Sequence, residues 1–264
     1  MHKIKAVILD WAGTTIDYGC FAPVKAFITA FEAFGLKPTM EETRAPMGLQ
    51  KKAHIAKMLE GERLSALWQE QKGSFYTQED IDAIYDKFEP ALFEVLQNYT
   101  DLLPGAIEAV NRLRDQGIVI GSTTGYTEAM MDVVVPIVKS KGYEPDCLVC
   151  PDEIGGIGRP YPYMLWRNLE KLGILSISEV VKVGDTEADM EEGKNAGCLC
   201  VGILKGSSLL GLTEAELSLC SDVELDNSLE AARKNYINAG ADYVINEISE
   251  LPGLITSINE SFSM

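Results

Sequence analysis

The residues of this chain best suited to chemistry stand at the ends of apolar runs. Ala6-Val7-Ile8-Leu9 delivers Asp10, and Val180-Val181-Lys182-Val183 delivers Gly184-Asp185-Thr186-Glu187-Ala188-Asp189. Two aspartates four residues apart on an entering helix project from neighbouring turns of one face. A hard cation takes such oxygen ligands and keeps several waters. Ile118-Val119-Ile120-Gly121 runs into Ser122-Thr123-Thr124-Gly125, hydroxyls followed by a glycine that lets the backbone approach an anion. Gly158-Arg159-Pro160 adds a guanidinium whose fork can hold two oxygens. After Pro46-Met47-Gly48, Lys51, His54 and Met58 recur at three- and four-residue spacing, which puts them on one helix face. Each segment also has a plainer reading: an Asx turn at Asp185, a helix-capping hydroxyl turn before Thr127, a surface loop at Arg159, a solvated helix charge at Lys51.

The elements that must position these groups follow from periodicity. Short continuous apolar runs are predicted as buried strands at Ala6 to Leu9, Ile118 to Gly121, Cys147 to Val149, Val180 to Val183, Leu199 to Ile203 and Tyr243 to Ile245. Helical spacing fills the intervals from Ala106 to Gln116, through Met130 and Val134, and from Tyr163 to Leu172. Buried strands alternating with helices predict an α/β fold, a doubly wound, Rossmann-like parallel sheet covered on both faces. Ligands in such sheets bind outside the strand C-termini, where Asp10, Thr123, Thr124 and Asp185 fall. Residues 17–98 break the alternation and read as mainly helical, with Val24, Phe27, Ile28 and Phe31, then Ile81, Ile84, Tyr85 and Phe88, at helical spacing. The expected organisation is a core of residues 1–16 and 99–264 with a helical cap of residues 17–98 inserted after the first strand. The stretch from about 206 to 240 reads as helices without chemistry of its own.

Composition narrows the partners. The 264 residues carry 23 Lys and Arg against 40 Asp and Glu, a formal net charge of −17. That charge disfavours nucleic acid and anionic membranes, which need basic patches to displace counterions, but a few local cations can still receive a small anion. Charges and turn residues interrupt every apolar run well short of the about 18 residues that span a bilayer. The first strand begins too early to leave room for a secretory leader, so a cytoplasmic protein is expected. Of six cysteines, Cys147 and Cys150 face opposite sides of a strand and no second pair has zinc-ribbon spacing; all but Cys20 read as buried thiols.

Asp10-Trp11-Ala12-Gly13-Thr14-Thr15 resembles the first signature of the haloacid dehalogenase superfamily, in which an aspartate attacks phosphorus and a second acid two residues on protonates the leaving alkoxide. Ala12 stands where that acid would be. A carbon leaving group gains nothing from a proton on a lone pair; it needs its electrons delocalised into a sink. Asp17-Tyr18-Gly19-Cys20-Phe21-Ala22-Pro23, Pro46-Met47-Gly48-Leu49-Gln50-Lys51-Lys52-Ala53-His54, Gly121-Ser122-Thr123-Thr124-Gly125-Tyr126 and Gly158-Arg159-Pro160-Tyr161-Pro162 complete a close resemblance, over essentially the full chain, to the phosphonoacetaldehyde hydrolase family within that superfamily.

The resemblance implies the following roles. Asp10 is the nucleophile, and Lys51 forms an imine with the substrate aldehyde, although the adjacent Lys52 leaves the choice between the two lysines open. One Mg2+ per subunit is held by the Asp10 and Asp185 carboxylates and the Ala12 carbonyl, with Asp189 supporting the shell. Thr124 and Arg159 bind phosphoryl oxygens, His54 shuttles protons, and Cys20, Met47 and Tyr126 line the substrate pocket. The Lys51 pKa is expected to fall through burial with Lys52 and Arg159 nearby. The implied reaction converts phosphonoacetaldehyde to acetaldehyde and phosphate in 2-aminoethylphosphonate degradation, in a homodimer. Two competing readings are a capped phosphatase or phosphomutase acting on a phosphate ester, which Ala12 opposes, and a binder of phosphorylated metabolites without turnover, which the intact Asp10, Thr124, Arg159, Asp185 and Asp189 oppose.

Overall fold

Ala6–Leu9 forms β1, and all four of its side chains are fully buried because helices cover both sides of it. Ala6 and Ile8 face one layer with Leu165, while Val7 and Leu9 face the other with Val110, Leu113 and Ile255, the alternation a strand imposes. The computed structural model describes residues 3–262.

Five helices follow β1 before the chain returns to the sheet: α1 (Phe21–Glu32), α2 (Met40–Arg44), α3 (Lys51–Glu60), α4 (Glu62–Lys72) and α5 (Gln78–Leu96). The apolar faces of α1 and α5 pack together, with Phe27 stacked on Phe88 at 4.2 Å between ring centroids. Reciprocal capping boxes start α2 at Thr39 and Glu42 and α5 at Thr77 and Asp80, each satisfying otherwise orphaned N–H groups. The remaining chain alternates as the periodicity predicts: α6 (Ala106–Asp115), β2 (Val119–Thr123), α7 (Glu128–Ser140), β3 (Cys147–Val149), α8 (Tyr163–Leu172), β4 (Val180–Gly184), α9 (Glu187–Ala196), β5 (Leu199–Ile203), α10 (Glu214–Leu219), α11 (Asp222–Ala239), β6 (Tyr243–Ile245) and α12 (Leu251–Ser261).

The six strands form one parallel sheet in the order β3-β2-β1-β4-β5-β6, the doubly wound order. β1 pairs with β2 on one side and β4 on the other, so that Leu9 lies level with both Ser122 and Val183. The strand order reverses at β1, and the crevice beyond the C-termini of β1 and β4 is the switch point where such sheets bind ligands. Asp10 and Asp185 follow those two strands directly.

The two connections between sheet and inserted helices run side by side. Asp17 N–H donates to Asp101 O at 3.1 Å and Leu103 N–H to Thr15 O at 2.9 Å. The Asp17 carboxylate accepts from the N–H groups of Phe21 and Ala22, both at 3.0 Å, and so anchors the start of α1. Among the described residues, no helix is long and apolar enough to cross a membrane. One detail of the cysteine reading is corrected: Cys220 is only partly buried, because it ends the surface helix α10, while Cys20, which that reading set apart, is buried as well.

Candidate active site

Arg159 reaches the Asp10 carboxylate directly, with Nη2 2.6 Å from Oδ1, and also donates to Thr123 Oγ1 at 2.9 Å and, through Nε, to Glu192 Oε2 at 3.0 Å. A second cation, Lys182, shares three of these acceptors. Its Nζ lies 2.7 Å from Thr123 Oγ1, 2.8 Å from Asp189 Oδ1 and 3.1 Å from Glu192 Oε2, and Arg159 Nη2 is 3.1 Å from the same Asp189 oxygen. Asp10, Asp189 and Glu192 thus face two cations, Asp185 joins the cluster without pairing with either, and all six side chains are buried. Burial works against the Asp189 carboxylate, but Arg159 and Lys182 outweigh it and hold its pKa below the ordinary value.

Asp185 is less well compensated. Its Oδ2 accepts the Ser208 N–H at 2.7 Å, while Oδ1 is buried without a hydrogen-bond partner. Burial first, and then the charges of Asp10 and Asp189, push its pKa well above the usual carboxylate range. Burial also raises Asp10, against the pull of Arg159. Carboxylate oxygens of Asp10, Asp185 and Asp189 lie within 4.8 Å of one another. Gly13, at φ +87°, leaves the space this cluster needs: a Cβ there would sit 2.2 Å from Asp185 Oδ2. An all-oxygen donor set, an orphaned buried carboxylate oxygen and an excess of two negative charges fit a hard divalent cation. Asp185 precedes the Thr186 N-cap of α9, and Asp189 is that helix's N3 capping residue, so the expectation that both aspartates project from one helix face is corrected. The pair converges because the strand ends where the helix begins.

The pocket over this cluster is lined by Asp10, Ala12, Cys20, Met47, Lys51, Thr124, Tyr126, Arg159 and Asp185. Thr124 Oγ1 accepts the Tyr126 N–H at 3.1 Å. Lys51 enters from α3, whose first turn is fixed by Gln50 Oε1 accepting the N–H groups of Lys52 and Ala53. Its Nζ stands 4.9 Å from the Tyr126 ring centroid and 5.9 Å from that of Phe27. Burial lowers the Lys51 pKa to about 8; Cys20 and Asp10 pull it up and Arg159 pulls it down. Lys52 was expected to contribute to this lowering and does not. One residue along the helix it turns outward and pairs with Asp82 at 2.6 Å. His54 lies one turn behind Lys51 rather than in the pocket lining. It is fully buried and stacked on Phe27, and its Nε2–H donates to Thr43 O at 2.9 Å, which leaves Nδ1 as an unpartnered lone pair. Burial and the neighbouring Lys51 hold its pKa well below the usual histidine value.

The profile of haloacid dehalogenase-like hydrolases matches residues 4–197. The phosphonoacetaldehyde hydrolase of Lysinibacillus sphaericus is 46% identical over 261 residues, covering 99% of this chain and 97% of that protein. The chain belongs to the phosphonoacetaldehyde hydrolase family. A bifunctional phosphonoacetaldehyde hydrolase/aminoethylphosphonate transaminase of Clostridioides difficile is 47% identical over 257 residues, and this chain spans 97% of itself but 40% of that longer protein. The crystal structure of a phosphonoacetaldehyde hydrolase-like protein from Oleispira antarctica superposes with a TM-score of 0.94 at 36% identity, covering 98% of this chain and 94% of that one.

In this phosphonoacetaldehyde hydrolase family member, four site-supporting residues escape motif reading. Lys182 and Glu192 form the buried charge pair under Arg159, and the signal for Lys182 was a lysine inside the apolar run Val-Val-Lys-Val. Ser208 and Tyr236 hold Asp185 from the segment read as lacking chemistry: Ser208 through its N–H, Tyr236 through its hydroxyl, which donates to Asp185 O at 2.7 Å. Nothing in their local sequence marks them. Roomier cavities of about 350 and 360 Å³ lie elsewhere and carry acidic side chains, but among the described residues three carboxylates converge within 4.8 Å only at Asp10, Asp185 and Asp189, so chemistry rather than volume locates the site.

Proposed function

We propose that the protein hydrolyses the carbon–phosphorus bond of phosphonoacetaldehyde to acetaldehyde and orthophosphate, within 2-aminoethylphosphonate degradation. The observation that carries this reading is the buried Lys51 amine, placed in one pocket with Asp10 where position 12 is an alanine.

Residues 1–16 and 99–264 act as the catalytic core, and residues 17–98 as a cap that brings Met47 and Lys51 over it. Neutral Lys51 attacks the aldehyde carbon, and loss of water leaves a protonated imine. His54 Nδ1, the unpartnered nitrogen of its ring, takes up and returns protons during that exchange. Asp10 then attacks phosphorus in line. The carbon–phosphorus electron pair passes into the imine to give an enamine, and the phosphoryl group stays on Asp10 as an acyl phosphate. Protonation at carbon and hydrolysis of the imine release acetaldehyde and regenerate Lys51, and a second water cleaves the acyl phosphate. Arg159 and Thr124 face the phosphonate oxygens and stabilise their charge. Asp10, Asp185 and the Ala12 carbonyl would hold one magnesium ion, which supplies positive charge opposite those oxygens. Asp189 supports this shell through Arg159 and Lys182. Cys20, Met47 and Tyr126 shape the aldehyde end of the pocket. A homodimer belongs to the same reading, with the exposed aromatic group of Tyr161, Tyr163 and Trp166 as the apolar surface to bury. Six free cysteines accord with a reducing cytoplasm.

The test is to incubate purified protein with phosphonoacetaldehyde and magnesium while following phosphate and acetaldehyde together, with Lys51→Arg in parallel. Equal release of both products, abolished in the variant, supports the reading. Release of phosphate from sugar phosphates but not from the phosphonate would replace it with an ester phosphatase.

A further inference from the structure

We propose that Arg44 is a positioning residue that couples docking of the inserted helices to the placement of Asp185. Arg44 is the last residue of α2, yet its guanidinium makes no use of its own helix. Nη1 donates to Gly19 O at 2.7 Å and Ser208 O at 3.3 Å, Nη2 to Gly211 O at 3.5 Å, and the guanidinium carbon lies 4.9 Å from the Phe21 ring centroid. Gly19 belongs to the connection entering α1. Ser208 and Gly211 belong to the loop after β5, more than 160 residues away in the chain.

Ser208 is the link. Its carbonyl accepts from Arg44, while its N–H donates to Asp185 Oδ2 at 2.7 Å and its hydroxyl to Asp185 O at 3.4 Å. The loop is also joined to Gly19, whose N–H donates to Gly206 O at 2.7 Å, while its bonds nearer Ser208 are local: Ser207 N–H to Leu204 O at 3.2 Å, and Gly211 N–H to Ser207 O at 3.0 Å. The local bonds shape the turn, and Arg44 is the side chain that ties Ser208 itself to the inserted helices. A planar guanidinium presents several donors in a fixed fork and can serve three carbonyls from three directions, which a lysine ammonium on a flexible stem does poorly. When the helices lift away, water replaces Arg44 at those carbonyls, and the loop keeps Asp185 through its own turn and the Gly19–Gly206 bond. The same helices carry Gly48 onto the far side of the cluster, where a Cβ would sit 2.3 Å from Thr186 Oγ1.

The coupling is reciprocal by thermodynamic necessity: whatever docking adds to cation affinity at Asp185, the cation returns to docking. The inference rests on the proposed reading of Asp185 as a cation ligand and of residues 17–98 as a cap, so its first test uses metal-free protein. Amide hydrogen exchange at Ser208 is measured in the full chain, in Arg44→Met and in Arg44→Lys. Arg63→Met, which removes an outward arginine paired with Glu42, serves as control. Exchange at Ser208 is expected to quicken roughly tenfold in both Arg44 variants and stay unchanged in the control. Magnesium titration by calorimetry is then expected to show roughly five- to tenfold weaker binding in the Arg44 variants. Wild-type exchange at Ser208 in Arg44→Met overturns the latch whatever the metal does. Faster exchange with unchanged magnesium affinity overturns the coupling to Asp185. A wild-type protein that binds no magnesium overturns the metal reading, and with it the coupling.

Discussion

Lys51 and Lys52 are consecutive in α3 and face opposite environments. Lys51 is 3% exposed within the Asp10 pocket, whereas Lys52 pairs with Asp82 at 2.6 Å at the surface, with both side chains more than two-fifths exposed. A helix turns by about 100° per residue, enough to send one amine inward and the next outward. Borohydride trapping in the presence of phosphonoacetaldehyde should therefore label Lys51, as read by peptide mass spectrometry. Lys52→Ala should keep turnover and lose less than about 1 kcal/mol of stability, the scale of an exposed ion pair; label confined to Lys52 would reverse the assignment.

The lowered pKa of Lys51, about 8, makes both chemistry and stability depend on pH. The neutral amine is the attacking form, so trapping should rise through pH 8 and level off above it. In the unfolded chain the same amine protonates near its ordinary value of 10.5. Between about 8 and 10.5 the unfolded state binds more protons, so stability rises with pH, and below 8 the full penalty of about 3 kcal/mol applies. Lys51→Met removes that penalty, and denaturant melts should show its advantage over wild type at pH 7 shrinking towards pH 10.5.

The charge cluster beneath the nucleophile tests differently. Lys182→Met leaves Glu192 and Asp189 to share Arg159, and removing one partner of a buried ionic network costs about 3–5 kcal/mol. Glu192→Gln in the same chain removes the stranded anion and should recover most of that loss, which urea melts of the single and double variants would show. A double variant as unstable as the sum of the two singles would mean that the two side chains do not act as a pair.

Asp185 carries the orphaned oxygen of an anion-rich cluster. Asp185→Asn takes away one of four crowded carboxylates, so metal-free protein should melt at a higher temperature than wild type. Magnesium should raise the wild-type melting temperature through ligand linkage, be reversed by a chelator, and leave the variant unmoved. A magnesium shift that survives in Asp185→Asn would place the ion elsewhere.

Position 12 discriminates between leaving groups. Ala12→Asp restores the acid that helps an alkoxide depart, so it should raise phosphate release from ester substrates relative to the phosphonate. Faster cleavage of phosphonoacetaldehyde by the variant would show that a second acid at position 12 does not disfavour a carbon leaving group.

Much of this protein was legible in the order of its residues. Short, mainly apolar runs such as Val180 to Val183 and Leu199 to Ile203, too brief for a helix and bounded by turn residues, fit strands of a sheet covered on both faces. Reactive groups at the ends of those runs must meet at one edge of a parallel sheet, which is why Asp10, Thr124 and Asp185 could be grouped from sequence. The helical phase of Lys51 and His54 placed both inside, but periodicity alone could not tell Lys51 from Lys52, since a helix start displaced by one residue exchanges inward and outward. The tertiary structure decided the rest. Lys182 meets Glu192, Ser208 meets Asp185 and Arg44 meets Ser208 because separate elements pack there. Such contacts depend on angles and distances between elements, and no local pattern of residue types encodes them.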